Sequence, residues 1–230
     1  MYVDFDGTVT LGDTTDAILE RFASAAWQTI EEQWVAGHIG SRDCLARQIG
    51  LLRVSPEVLD DFVGAVEFDR DFPAFVTLCR DHGVPITVVS DGLDRVASTV
   101  LERAGVNAPL IANHLEWLGD DRWRLSFPHA RGDCRSAAGN CKCVALADDS
   151  ETISILIGDG RSDICAAESA NLVLAKGILA EHCQSVGLPF ITFTDFAGAT
   201  SLLADWIGAQ KRRDHVPRST EVPIHAPSTA

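Results

Sequence analysis

The chain has 230 residues, enough to bury one α/β core with a smaller insertion. Lys and Arg number 19 against 33 Asp and Glu, a formal net charge of −14, which disfavours sequence-blind binding to nucleic-acid phosphates. Apolar residues make up 46%, ordinary for a globular chain, and no run approaches the ~18 needed to cross a bilayer.

Met1-Tyr2-Val3 reads as a short buried strand running into Asp4-Phe5-Asp6-Gly7-Thr8. Side chains alternate along an extended segment, so Asp4 and Asp6 are expected on one side, converging on one cation. Only three residues precede Asp4, short for a central strand, which leaves open a true start further upstream. Acidic residues so close to Met1 argue against a leader peptide, and a cytoplasmic location is the default. Ile18, Leu19, Phe22, Ala26, Ile30 and Trp34 recur near helical period, as one long helix or two with a break. Leu45, Ile49 and Leu52 share the face of a helix from Arg42 to Leu52. Ser55-Pro56-Glu57 supplies an N-cap with Pro at the first helical position, and Asp71-Phe72-Pro73 opens another helix ending at Asp81-His82-Gly83.

A buried strand over Val84–Val89, the polar turn Ser90-Asp91-Gly92 and a helix to Ala104 make one unit of an α/β sheet. Residues 110–127 alternate as a β-hairpin at the sheet edge. A short helix over Cys141–Asp148 precedes a buried strand, Ile153–Ile157, that ends in Gly158-Asp159-Gly160-Arg161-Ser162-Asp163. Then come a helix over Ile164–Ser169, a strand over Leu172–Leu174, a helix over Gly177–Val186, a strand over Phe190–Phe193 and a closing segment Phe196–Ile207. The Pro-, Ser- and Thr-rich end, 209–230, reads as a disordered tail. Seven cysteines, mostly single in apolar segments, fit a reducing compartment. For Cys134, Cys141 and Cys143 three readings stay open: ordinary packing, a metal site with His129, and a local disulfide.

The chemistry-bearing residues fall at C-terminal strand ends, where open α/β sheets bind ligands. Asp4 can attack phosphorus and carry the phosphoryl group, and Asp6 can serve as general acid, then base. Ser90, with the Asp91 or Gly92 N–H, can hold a phosphoryl oxygen, and Lys142 can neutralise both the phosphate and Asp4. Asp159 and Asp163 add the oxygen donors that Mg²⁺ prefers. Singly, each has a plainer reading: Ser90 as a helix cap, Lys142 as a surface lysine, Asp163 as a helix-start carboxylate.

Together these segments resemble the four motifs of the haloacid dehalogenase superfamily: Asp4-Phe5-Asp6-Gly7-Thr8, Val88-Val89-Ser90-Asp91-Gly92, Lys142, and Gly158-Asp159-Gly160-Arg161-Ser162-Asp163. The resemblance implies a Rossmann-like α/β core with a mostly parallel sheet and an inserted all-helical cap (type C1), as in the phosphoserine-phosphatase-like subclass. It implies a discontinuous core, 1–12 and 70–208, with the cap at 13–69. It also implies hydrolysis of a small phosphomonoester through an aspartyl-phosphate. Mg²⁺ would be held by Asp4, the Asp6 backbone carbonyl and Asp159, with Asp163 joining through water or orienting Lys142.

Within that subclass the chain is most similar to methionine-salvage phosphatases acting on 2-hydroxy-3-keto-5-methylthiopentenyl-1-phosphate. That similarity rests on Thr8-Val9-Thr10, Ile39-Gly40-Ser41-Arg42, Gly139-Asn140-Cys141-Lys142 and Ala175-Lys176-Gly177-Ile178-Leu179. Phosphoserine phosphatases, the competing group, grip their substrate with a cap Glu and a cap Arg. The matching positions here hold Asp13 and Gln48, and Gln cannot make the charged bidentate pair that Arg makes with a carboxylate. Asp13, Arg42 and Gln48 are the expected cap contacts. A catalytically retired binding protein on the same scaffold is the third reading. No nucleic-acid or membrane partner is expected, and monomer and homodimer stay open.

Overall fold

The computed structural model describes residues 1–147 and 153–214. Its centre is a seven-stranded sheet, ordered β4-β3-β2-β1-β5-β6-β7. The strands are β1 (Tyr2–Val3), β2 (Thr87–Leu93), β3 (Leu110–Gly119), β4 (Arg122–Ser126), β5 (Ile155–Gly158), β6 (Leu172–Ala175) and β7 (Ile191–Thr192). All neighbours pair in parallel except β3 and β4, an antiparallel hairpin at one edge. β1 is only two residues long but sits between β2 and β5, with Val3 opposite Val88 and Ile157. Asp4 N–H continues that pairing, donating to Ile157 O at 2.9 Å. The first acidic residue is thus fixed at the mouth of the central strand.

The apolar stretch after β1 forms two helices, α1 (Thr14–Phe22) and α2 (Ala26–Val35). They part at Ala23, which turns extended and bridges to Leu52. Asp13 caps α1 by accepting from Asp16 N–H at 2.9 Å. α3 (Ser41–Ile49) and α4 (Pro56–Val63) follow, the latter capped by Ser55 with Pro56 in its first turn. α5 (Phe72–Asp81) begins the return to the sheet. Asp69 secures this junction: its carboxylate accepts from Asp71 N–H at 2.9 Å and from Phe196 N–H at 2.8 Å. Phe72 and Phe75 then pack on Phe196, with ring centroids 4.8 and 5.1 Å apart.

The remaining helices are α6 (Asp94–Arg103), α7 (Lys142–Ala147), α8 (Ile164–Ala167), α9 (Gly177–Val186) and α10 (Phe196–Asp214), with a 3-10 turn over Arg161–Asp163. Four expectations are corrected. Ser90-Asp91-Gly92 belongs to β2, which starts at Thr87 and runs through the segment to Leu93. The β2–β3 register shifts between Val89 and Leu93, so an irregular strand does the work expected of a turn. β5 begins at Ile155; Ile153 before it is exposed. α10 runs to Asp214, so 209–214 is helix and not tail, in keeping with the good helix formers Ala209, Gln210 and Lys211. The rest of the expected tail lies outside the described residues, as does Asp148. Finally, of the readings open for Cys143 the disulfide holds, but not as a local pair: its partner is Cys165, outside the Cys134, Cys141 and Cys143 group, with Cα atoms 6.2 Å apart. None of the described helices is long and apolar enough to cross a membrane.

Candidate active site

Asp4 leaves the end of β1 buried, with 5% exposure, in a place where a lone charge would be costly. Its partner is Lys142, at the first turn of α7 and equally buried. The Lys142 ammonium donates to Asp4 Oδ1, to Asp163 Oδ1 at 2.7 Å and to Ser162 Oγ at 2.9 Å. Burial alone would lower the Lys142 pKa, but the charges of Asp163 and Asp4 reverse that and raise it, so the ammonium stays charged. Burial pushes both carboxyls up to about 6 despite the lysine. Gly158 lies under Asp163 so closely that an added Cβ would come within 2.5 Å of its carboxyl carbon.

Asp4, Asp159 and Asp163 offer oxygens that all lie within 4.8 Å of one another. Thr8 Oγ donates to Asp159 Oδ1 at 2.7 Å and aims that carboxylate. Gly7 approaches Asp159 with φ 72°, and any side chain there would overlap the carboxylate. Three hard oxygen donors on a rigid strand-end frame suit Mg²⁺.

Asp6 does not join that cluster. The backbone stops being extended at Phe5, whose carbonyl accepts from the N–H groups of Thr8, Val9 and Thr10, so side-chain alternation ends there. The Asp6 carboxylate turns instead to α1: Thr14 donates to Oδ1 through its N–H at 2.9 Å and through its hydroxyl. Ser90 Oγ donates to Oδ2 at 3.3 Å. Burial, then the nearby charge of Asp13, raises Asp6 to about 7. A carboxyl half protonated near neutral pH is suited to give and take a proton.

Ser90 is fully buried at the β2 mouth, and Gly92 N–H donates to its Oγ at 2.8 Å. Asp91, on the cavity floor, organises the loop before α7. Its carboxylate accepts from Asn140 N–H at 2.8 Å, Asn113 Nδ2 at 3.2 Å and Ser41 Oγ at 2.6 Å. Asn140 Nδ2 also donates to the Ser90 and Ile111 carbonyls, each at 2.9 Å. Lys142, two residues beyond Asn140, is thereby held in register with β2.

A cavity of about 510 Å³ opens above these groups. Asp4, Asp6, Asp91, Gly92 and Asp159 line its floor; Asp13, Glu31, Trp34, Leu45 and Gln48 line its helical wall. Gln48 is buried and donates to Glu31 Oε2 at 2.9 Å. Arg42 is not among the lining residues; Ser41 takes that place, while the Arg42 backbone N–H donates to Ala137 O at 3.0 Å. Sequence reasoning did not single out Thr14, Ser41, Asn113, Asn140, Ser162 or Glu31. All are polar residues whose partners lie far off in the chain or across an element boundary. Ser41, Asn140 and Ser162 did lie inside segments that carry the family resemblance, but nothing in those segments gave them a role of their own.

Residues 2–168 match the family model for haloacid dehalogenase-like hydrolases. The chain belongs to that family. Among its relatives, 2-hydroxy-3-keto-5-methylthiopentenyl-1-phosphate phosphatase of Geobacillus kaustophilus is 29% identical over 85% of this chain and 91% of the relative. The protein of that name in Bacillus velezensis is 31% identical over 84% of each chain. Among solved structures, a phospho-aspartyl intermediate analogue of phosphoserine phosphatase superposes with TM-score 0.62 at 20% identity, covering 84% of this chain and 92% of that one. A substrate-bound phosphoserine phosphatase superposes with TM-score 0.64 at 19% identity, over 85% and 93%. These likenesses fit the phosphoserine-phosphatase-like fold, and the chain is a hydrolase of the phosphatase type.

Proposed function

We propose that this haloacid dehalogenase-like hydrolase cleaves a small phosphomonoester through an aspartyl-phosphate on Asp4. The observation that carries the reading is the buried Lys142 ammonium joining Asp4 to Asp163 beside Asp159, with Asp6 held apart by Thr14. An Asp4 oxygen forms a bond to phosphorus as the ester P–O bond breaks, and Asp6 gives its proton to the departing alkoxide. Water then attacks phosphorus, Asp6 takes the water's proton, and the Asp4–phosphorus bond breaks to release phosphate. Ser90 Oγ holds a phosphoryl oxygen, while Lys142 keeps Asp4 ionised and offsets charge as it builds. Asp4, Asp159 and Asp163 would hold Mg²⁺, with the Asp6 backbone carbonyl as the family resemblance implies. When bound, the ion supplies Lewis-acid stabilisation of the phosphoryl charge.

The helical segment 13–69 acts as the cap, and 1–12 with 70–208 as the core. The methylthiopentenyl phosphate named for the relatives is the first substrate reading. It is supported by those relatives and by a wall with apolar Leu11, Trp34, Val35 and Leu45 and no cap arginine or lysine. Phosphoserine is the second, favoured by Arg161, a guanidinium on the cavity wall from the core side. Phosphate release from an aryl phosphate, with and without Mg²⁺, tests the chemistry. Asp4→Asn should abolish turnover in a folded protein, since a carboxamide is a poor nucleophile; turnover near the wild-type rate removes the assignment. Comparing kcat/KM for the two substrates ranks them: a phosphoserine preference of ~100-fold, about 2.7 kcal/mol, would reverse the order.

A further inference from the structure

Beside the candidate active site lies a second cavity, of about 600 Å³, with segment 34–40 on one wall and core residues on the other. Trp34, Val35 and Arg161 line both cavities, so the two adjoin. The core wall of the second holds Cys165, half-buried in the first turn of α8 and disulfide-bonded to Cys143. Cys143, by contrast, packs against the apolar cluster of Leu146, Leu156 and Val173 and does not line the cavity. A small molecule in this cavity therefore meets the disulfide at Cys165.

Cys143 directly follows Lys142, and Cys165 stands two places after Asp163. The bond thus ties the first turn of α7 to that of α8, joining the elements whose ammonium and carboxylate meet at 2.7 Å. Lys142 also holds Asp4, so slack between α7 and α8 reaches the proposed nucleophile. α7 has only six residues, too few to be stable alone, and its placement depends on what it is tied to. The charges around Cys165 favour an anion. Arg135, Arg161 and His38 line the cavity with one carboxylate, Glu168, which is already paired with Arg135. Arg161 is exposed and has no ion pair among the described residues.

We propose that Cys143–Cys165 is a thiol–disulfide exchange site for a low-molecular-weight thiol bearing carboxylates, and that opening the bond slows turnover by loosening Lys142 and Asp163. The exchange goes beyond the phosphatase reading; only its effect on turnover rests on that reading. The small thiolate forms a bond to Cys165 Sγ as the Cys165–Cys143 bond breaks, and Cys143 departs as a thiolate that takes a proton from water. A second small thiolate attacks the small-molecule sulfur of the mixed disulfide. Cys165 leaves with the electron pair and is protonated, and the oxidised product is the small thiol's own disulfide. The protein gains two electrons and two protons; the reverse sequence, with that disulfide as oxidant, closes the bond again.

The test treats the full chain, in Mg²⁺ buffer, with reduced glutathione or with cysteamine, a cationic thiol, and follows each cysteine by differential alkylation and peptide mass spectrometry. Glutathione is expected to free Cys143 and Cys165 roughly fivefold faster than cysteamine at equal thiolate concentration, against the sense of the overall charge of −14. As those labels appear, kcat on an aryl phosphate should fall about tenfold, and oxidised glutathione should restore it as they disappear. Cys165→Ser should sit at the lower rate and respond to neither form of glutathione. Circular dichroism checks its fold; should it not fold, the wild-type titration decides. Cys143 and Cys165 staying unlabelled, cysteamine reacting faster, or labels appearing with kcat unchanged would each overturn the inference. So would a thiol response kept by Cys165→Ser, which would assign it to Cys134, the half-buried free thiol before α7. No aryl phosphate hydrolysis by the untreated protein would remove the phosphatase reading and the effect on turnover, while the labels still decide the exchange.

Discussion

Lys142→Met should cost about 3–5 kcal/mol of stability in the metal-free protein at pH 7.5, the penalty for stranding buried charge after one partner is removed. The lysine is 2% exposed, its partners Asp4 and Asp163 are 5% and 0% exposed, and among the described residues Ser162 Oγ is the only other acceptor on its ammonium. For a chain of this length the loss corresponds to a midpoint lowered by roughly 10 °C. With the lysine present the two carboxyls already sit near 6; without it they rise further. Folded pKa values above the ordinary 3.8 mean that the folded state holds protons the unfolded chain has released. The defect should therefore shrink on acidification to pH 5, where both groups become protonated, and shrink again on adding Asp163→Asn. Urea unfolding at the two pH values, for the single and double variants, measures all of this. A single variant as stable as wild type at pH 7.5, or equally damaged at both pH values, would refute the buried-triad argument.

Three further outcomes are expected. Asp6→Asn should keep the fold and lower kcat by roughly 10²–10⁴, because proton transfer to the leaving oxygen is lost; steady-state kinetics on an alkyl phosphate reads it. In wild type, Asp4, Asp163 and Asp16 are raised to about 6 and Asp6 to about 7, so metal-free stability should fall as pH rises from about 4 to 7. Mg²⁺ should restore it most at the upper end, as thermal melts with Mg²⁺ and with chelator will show. Reducing Cys143–Cys165, which spans 22 residues, should remove about 3 kcal/mol by chain entropy, and Cys165→Ser should make the melting temperature insensitive to reductant.

Much of this architecture was legible because a buried parallel strand must be an apolar run and must end where the chain turns over the sheet edge. Tyr2-Val3, Ile155–Gly158 and Leu172–Ala175 all follow that rule, and Asp4 and Asp159 were found at two of those ends. The Asp6 orientation was hidden because it depends on a turn closed by the Phe5 carbonyl, where the period-two rule no longer holds. The roles of Asn113 and Asn140 were hidden for a different reason: a single polar residue gives no periodic signal of what it bonds, and their shared partner Asp91 lies 22 and 49 residues away. The disulfide was hidden likewise, since pairing Cys143 with Cys165 needs α7 and α8 to be neighbours, a fact of packing that spacing does not carry.

The residues proposed to meet the phosphoryl group stand on or next to β1, β2, β5 and α7, whereas most of the other residues lining the cavity come from the one stretch between Leu11 and Gln48. An exchange of that contiguous segment between relatives would carry a new substrate preference in a single genetic event, leaving the reaction centre untouched. The exchange has a compatibility condition written into the backbone. Ser41 and Arg42 N–H donate to Ser136 O and Ala137 O, Val54 N–H donates to Asp121 O, and Trp123 Nε1 donates to Val54 O at 2.8 Å. A transplanted segment would have to bring matching docking points for the β3–β4 hairpin and the loop before α7. Those two core segments should therefore diversify in step with the insert, while the strand ends stay fixed.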